Sequence, residues 1–191
     1  MGIRRGDIST PIIADGLVFN MDAANRASYP VQRTLTTAES GSCYNTLDLT
    51  QSGSFIGDPT FVTLPTSASS WAFDGVDDNI SCSPVTEINS VTALTVSFWG
   101  KKSVAGEVLG LNTIQNVSND KVVLYWWSNS WVYFSARNGT TNVSPSILLT
   151  YDYNWHNFVG VYEGGNTLKL YINGALIDTE TSAPASLSSD I

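Results

Sequence analysis

Basic residues are scarce in this chain: nine Lys and Arg stand against seventeen Asp and Glu in 191 residues, a net charge of −8. Nucleic-acid binding needs a basic surface that releases counterions, so this charge balance argues against it. It argues equally against docking on anionic membranes. No apolar run approaches the roughly 20 residues of a membrane-spanning helix, and no membrane insertion is expected. His156 is the only histidine, and Cys43 and Cys82 are the only cysteines. That leaves no zinc ligand set and no Ser-His-Asp machinery. Two cysteines make no disulfide framework; they read as unpaired small hydrophobes, with a single bridge as the alternative. Glycine-rich phosphate loops are missing. Glu39, Glu87, Glu107, Glu163 and Glu180 are isolated from one another. Glycoside hydrolysis needs two placed carboxylates, so no catalytic residue is assigned and the chain reads as a non-enzyme.

Aromatic rings are plentiful, with six Trp, eight Tyr and seven Phe. From about residue 71 onward short apolar-alternating runs recur with turn residues between them, the pattern of an antiparallel β protein. The segment from Tyr153 to Gly174 reads as strand, turn, strand, turn. Its turns are Glu163–Asn166 and the Asn173-Gly174 pair, which two-residue hairpins prefer. His156 lies inside the first of these strands and is expected to be packed and hydrogen-bonded. No segment has a helical stripe. Residues 1–14 read as an extended arm and residues 15–191 as one domain. The first strand is expected near Leu17 to Met21, followed by long loops through residues 24–60. Two arginines near the start are followed by Asp7, Pro11 and Asp15, which interrupt the apolar core of a signal peptide; none is expected.

Side chains alternate between the faces of a strand. In Leu94–Lys101 this sends Leu94, Val96 and Phe98 into the core and Trp99 outward. The next hairpin is different. Val122, Leu124 and Trp126 alternate with Val123, Tyr125 and Trp127, and Val132 and Phe134 alternate with Trp131, Tyr133 and Ser135. Both faces are apolar or aromatic, although a two-layer sandwich buries only one. Something must cover the second face: a loop, a neighbouring chain or a ligand. Trp99, Tyr125, Trp127, Trp131 and Tyr133, with Asn129 beside them, are therefore the candidate ligand or interface residues. Rings of this kind stack on sugars, and they are also enriched between subunits.

Four blocks carry a family resemblance: Gly16–Ala23, Trp71-Ala-Phe-Asp-Gly-Val-Asp-Asp-Asn-Ile80, Leu94-Thr-Val-Ser-Phe-Trp-Gly-Lys101, and the Trp155–Gly174 run. In order and spacing they resemble the laminin-G-like, concanavalin A-like lectin and glucanase superfamily. The resemblance implies an all-β, antiparallel, two-sheet jelly-roll sandwich. The strands that normally end such domains have no counterpart after Thr179, so the chain is expected to be a fragment or a module of something longer. Calcium ligation at Asp74, Asp77 and Asp78 is implied by the laminin-G likeness. The competing reading is an Asp74-Gly75 turn whose carboxylates bond local backbone.

The opening, Met-Gly-Ile-Arg-Arg-Gly through Ser28-Tyr29-Pro30, resembles laminin-G-like proteins of tailed bacteriophages. This implies a non-enzymatic virion structural protein such as a capsid decoration, fibre or tail appendage. Its expected partners are other virion proteins, further copies of itself in a homo-oligomer, and host surface glycan; its expected place is the virion surface. The alternative is an extracellular carbohydrate-binding module of a secreted cellular protein.

Overall fold

The computed structural model describes residues 15–29, 42–63, 69–82, 84–85, 91–102, 109–115, 121–126, 130–138, 141–150, 152–164 and 166–184. These hold fourteen strands and no helix. β1 (Ser42–Tyr44), β2 (Ser52–Ile56) and β5 (Asn79–Cys82) form one small antiparallel sheet, in the order β1-β2-β5. β3 (Thr60–Thr63) and β4 (Ser69–Ala72) form a separate hairpin. A compact core of Ala23, Tyr29, Cys43 and Phe61 joins them, with Met21, Phe55, Trp71 and Ile80 packed against it.

Two larger sheets make the sandwich. β6 (Leu94–Gly100) is an edge of the first, and β7 (Leu109–Gln115), β8 (Lys121–Trp126), β9 (Trp131–Asn138) and β10 (Thr141–Val143) lie in order in the second. β11 (Ser146–Leu148) also pairs with β9. β12 (His156–Glu163), β13 (Thr167–Ile172) and β14 (Ala175–Glu180) complete the first sheet as β14-β13-β12-β6, antiparallel throughout. The β13–β14 turn places Asn173 at φ 52° and Gly174 at φ 82°. Both values are left-handed, which is why Asn and Gly occupy this turn.

The core lies between these sheets. Phe158, Tyr162, Leu168, Leu170 and Ile172 come from one layer; Val122, Leu124, Trp126, Val132, Phe134 and Ala136 come from the other. Each large side chain buried this way contributes about 1.5–3 kcal/mol. At Gly160 the layers approach so closely that a Cβ would stand 2.2 Å from the Phe134 ring. The Ser146 N–H donates to Asp178 Oδ2 at 2.9 Å, tying β11 to β14 of the other layer. The Tyr162 hydroxyl donates to the Pro184 carbonyl at 2.7 Å, fastening the segment after β14 across β12.

The alternation expected in β6 is present: Leu94, Val96 and Phe98 pack on the core, while Thr95, Ser97 and Trp99 are exposed. Three expectations need correction. Leu17–Met21 is no strand, because a buried amide side chain replaces a ladder there. Asn45 Oδ1 accepts the Asn20 N–H at 2.9 Å, and Asn45 Nδ2 donates to the Val18 carbonyl at 3.0 Å. Residues 24–60 are not all loop: they carry β1, β2 and the first residue of β3, whose short polar runs lack the usual strand signature. The long hairpin begins at His156, since Tyr153 has φ 58° and cannot continue a strand. Cys43 and Cys82 are both free thiols. The arm at residues 1–14 lies outside the described residues.

Candidate functional site: a ladder of rings on the outer face

Tyr125 of β8 and Tyr133 of β9 are direct cross-strand partners. Their rings stack with centroids 5.2 Å apart and planes 27° apart. Trp131, two residues before Tyr133 on the same face, adds a third ring at 6.1 Å and 32°. The Trp131 ring is tilted relative to Tyr133, and all three residues are half-buried. They point away from the core that Leu124, Trp126, Val132 and Phe134 enter, so this is the outside of the sheet.

The ladder is bordered by small residues. Gly110 of β7 is the register partner of Tyr125, and Ser146 of β11 is the partner of Tyr133. Leu148, paired with Trp131, is 57% exposed and extends the apolar strip. Burial, and secondarily the neighbouring Tyr133, pushes the Tyr125 phenol up, so its hydroxyl stays protonated at neutral pH.

Trp127 and Asn129 lie outside the described residues. Trp99 does not join the ladder. It stands 63% exposed on β6, in the other sheet, and therefore on the opposite exterior of the sandwich. There it neighbours a strip that sequence reading missed: Ser97, Val159, Tyr171 and Leu176 are register partners across four strands. The alternation of β12 and β13 was the signal, but the register that aligns these residues is not visible in it.

Asp74, Asp77 and Asp78 do come together, with carboxylate oxygens within 4.8 Å of one another. Asp78 Oδ1 accepts the Asp58 N–H at 2.6 Å and Oδ2 accepts the Asp74 N–H at 2.8 Å. Asp74 Oδ1 in turn accepts the Val76 N–H at 2.8 Å. The Asp74 and Val76 bonds are local to the turn, and the Asp58 bond closes the loop onto the end of β2. A shallow cleft of about 250 Å³ beside it is lined by Asp58, Thr60, Ala72, Phe73, Asp74 and Asp78.

His156 is buried and fully engaged. Its Nε2 donates to Asp152 Oδ1 at 3.0 Å and its Nδ1 accepts from Asn173 Nδ2 at 3.0 Å. The Asn173 orientation is set by its Oδ1, which accepts the Asn157 N–H at 3.0 Å. The ring packs edge-on against Trp126, whose face also lies 4.8 Å from Lys102 Nζ. Hydrogen bonds from His156, then from Asn154, hold the Asp152 carboxyl down at about 2. The histidine is thus a brace between the approach to β12 and the β13–β14 turn.

The two stacked antiparallel layers, bearing rings on the outside, define a lectin-like β-sandwich. A family model described as the Concanavalin A-like lectin/glucanases superfamily matches residues 74–190, more than half the chain. The chain belongs to that superfamily. A comparison with curated proteins found no match.

Among solved structures, the chain is similar to mouse laminin alpha1 chain domains LG4-5: 15% identity, 51% of this chain and 32% of that chain, TM-score 0.37. It is similar also to the Ruminococcus gnavus IT-sialidase CBM40 bound to alpha2,3 sialyllactose: 12% identity, 72% of this chain and 83% of that chain, TM-score 0.45. A third is the binding domain of botulinum neurotoxin DC in complex with SialylT: 16% identity, 80% and 35% of the two chains, TM-score 0.46. The chain spans about a third of the laminin and neurotoxin chains. These likenesses concern the fold.

Proposed function

We propose that this chain is a non-enzymatic surface protein of a tailed-phage virion, whose ring ladder docks on a host glycan or an adjoining subunit. The ladder of Tyr125, Tyr133 and Trp131 carries the reading. A lone sandwich has no structural need for three half-buried aromatic rings on an outer face. Rings of this kind suit the apolar face of a pyranose, while the Tyr133 phenol and the Ser146 hydroxyl suit its hydroxyl groups. The isolated glutamates support a binding module over a hydrolase. The phage assignment rests on the resemblance of the opening residues.

Mass spectrometry of purified virions of the encoding phage is expected to detect the chain. Glycan-array binding by the purified protein is expected to fall at least tenfold on Trp131→Ala or Tyr133→Ala, a loss of about 1.4 kcal/mol or more. Light scattering that reports a symmetric oligomer, with the same substitutions dissociating it, assigns the ladder to subunit contact instead. Virions free of the protein, together with glycan binding by a monomer, would replace the phage reading with a secreted cellular carbohydrate-binding module.

A further inference from the structure

We propose that Met21, Cys43 and Cys82 form a binding site for a soft monovalent cation, copper(I) in biology. The register of the small sheet sets Cys43 opposite Gly53 and Gly53 opposite Cys82. Cross-strand partners project to the same face, so the two thiols flank Gly53 in one row. Gly53 has no side chain, and the Ile80 methyl and the two sulfurs crowd the position a side chain would take. A Cβ there would stand 3.1 Å from both Sγ atoms and 2.6 Å from Ile80 Cγ2. The Met21 thioether closes the group, with its Sδ 3.4 Å from Cys43 Sγ and 3.9 Å from Cys82 Sγ.

These spacings suit coordination better than a disulfide. Two strand spacings separate the cysteine backbones, about 9.6 Å, and a disulfide needs the Cα atoms within about 7 Å. Three sulfurs around a trigonal ion, with metal–sulfur bonds of about 2.3 Å, stand about 4 Å from one another. The donors are two thiols and one thioether, which select copper(I) over hard cations. Zinc prefers four ligands drawn from Cys, His and carboxylate.

Access and shielding are both present. Cys82 is at the surface and offers a way in, whereas Cys43 is fully buried among Tyr29, Phe61 and their neighbours. An apolar wall penalises a doubly charged ion more than a singly charged one, which favours the reduced metal.

Anaerobic titration of the reduced full chain with copper(I), against a chromophoric copper(I) chelator, tests the site; silver(I) serves as the redox-inert probe of stoichiometry. One ion per chain is expected, with a sulfur-to-metal ultraviolet band and protection of Cys82 from alkylation. Met21→Leu preserves volume and fold, and is expected to weaken binding about tenfold or more; Cys82→Ser is expected to weaken it more strongly still. Failure of the wild-type chain to hold the ion against the chelator would overturn the proposal. So would unchanged affinity in Met21→Leu with an unaltered circular-dichroism spectrum, since the three sulfurs would then be core packing. If Cys82→Ser does not fold, the Met21→Leu comparison decides alone.

Discussion

Replacing Gly160 by alanine is expected to destabilise the sandwich through a single contact. Gly160 sits mid-strand in β12, and its absent side chain is the space that the Phe134 ring occupies. A Cβ would fall 2.2, 2.4 and 2.5 Å from three ring carbons. Nonbonded carbons rest at about 3.5–4.0 Å, so the ring or the strand must retreat by more than an ångström. Phe134 is fully buried in a core built from both sheets, and has no room to retreat. Overpacking of this kind costs about 1–3 kcal/mol, and a rigid ring places the case toward the upper end. Against this, Gly→Ala restricts the unfolded chain and returns about 0.4–1 kcal/mol. The net loss is then about 2 kcal/mol. Urea denaturation followed by tryptophan fluorescence measures it, as a lower midpoint with an unchanged slope. In a Phe134→Leu background the clash is relieved, and the cost of Gly160→Ala is expected to fall by at least half. An equal cost in both backgrounds, or a cost below about 0.5 kcal/mol in the wild type, refutes the reasoning.

Gly174→Ala forces a side chain into φ 82° and is expected to cost about 1–2 kcal/mol, read as a lower urea midpoint. The Asp152 carboxyl is held at about 2, below its ordinary value near 3.9. It therefore adds stability above that ordinary value, and loses it as pH falls toward 2. The melting-temperature gap between wild type and Asp152→Asn should be present at pH 6 and close between about pH 4 and 2. Asp78→Ala removes the acceptor for two backbone N–H groups and is expected to cost about 1–2 kcal/mol, while millimolar calcium leaves the wild-type melting temperature unchanged. A calcium-induced rise of several degrees would instead assign the three aspartates to the ion.

Much of the fold was legible because strand alternation is a local property. The faces of β6, β8 and β9 follow from period two alone, and Asn173-Gly174 announces its turn through backbone sterics. The first forty described residues were opaque for an equally physical reason. Asn45 satisfies backbone groups with a side chain, so the segment it pins carries no strand pattern. β1 and β2 are too short, and too rich in Ser and Gly, to signal themselves.

The candidate site divides the same way. Residue order alone determined that rings stand on an outer face of β8 and β9. Only the tertiary structure decided that Trp99 lies on the opposite exterior, that Tyr125 stacks on Tyr133, and that the Met21 sulfur meets those of Cys43 and Cys82. Alternation is encoded within a few residues. Which strand lies beside which, and in what register, depends on contacts between segments distant along the chain.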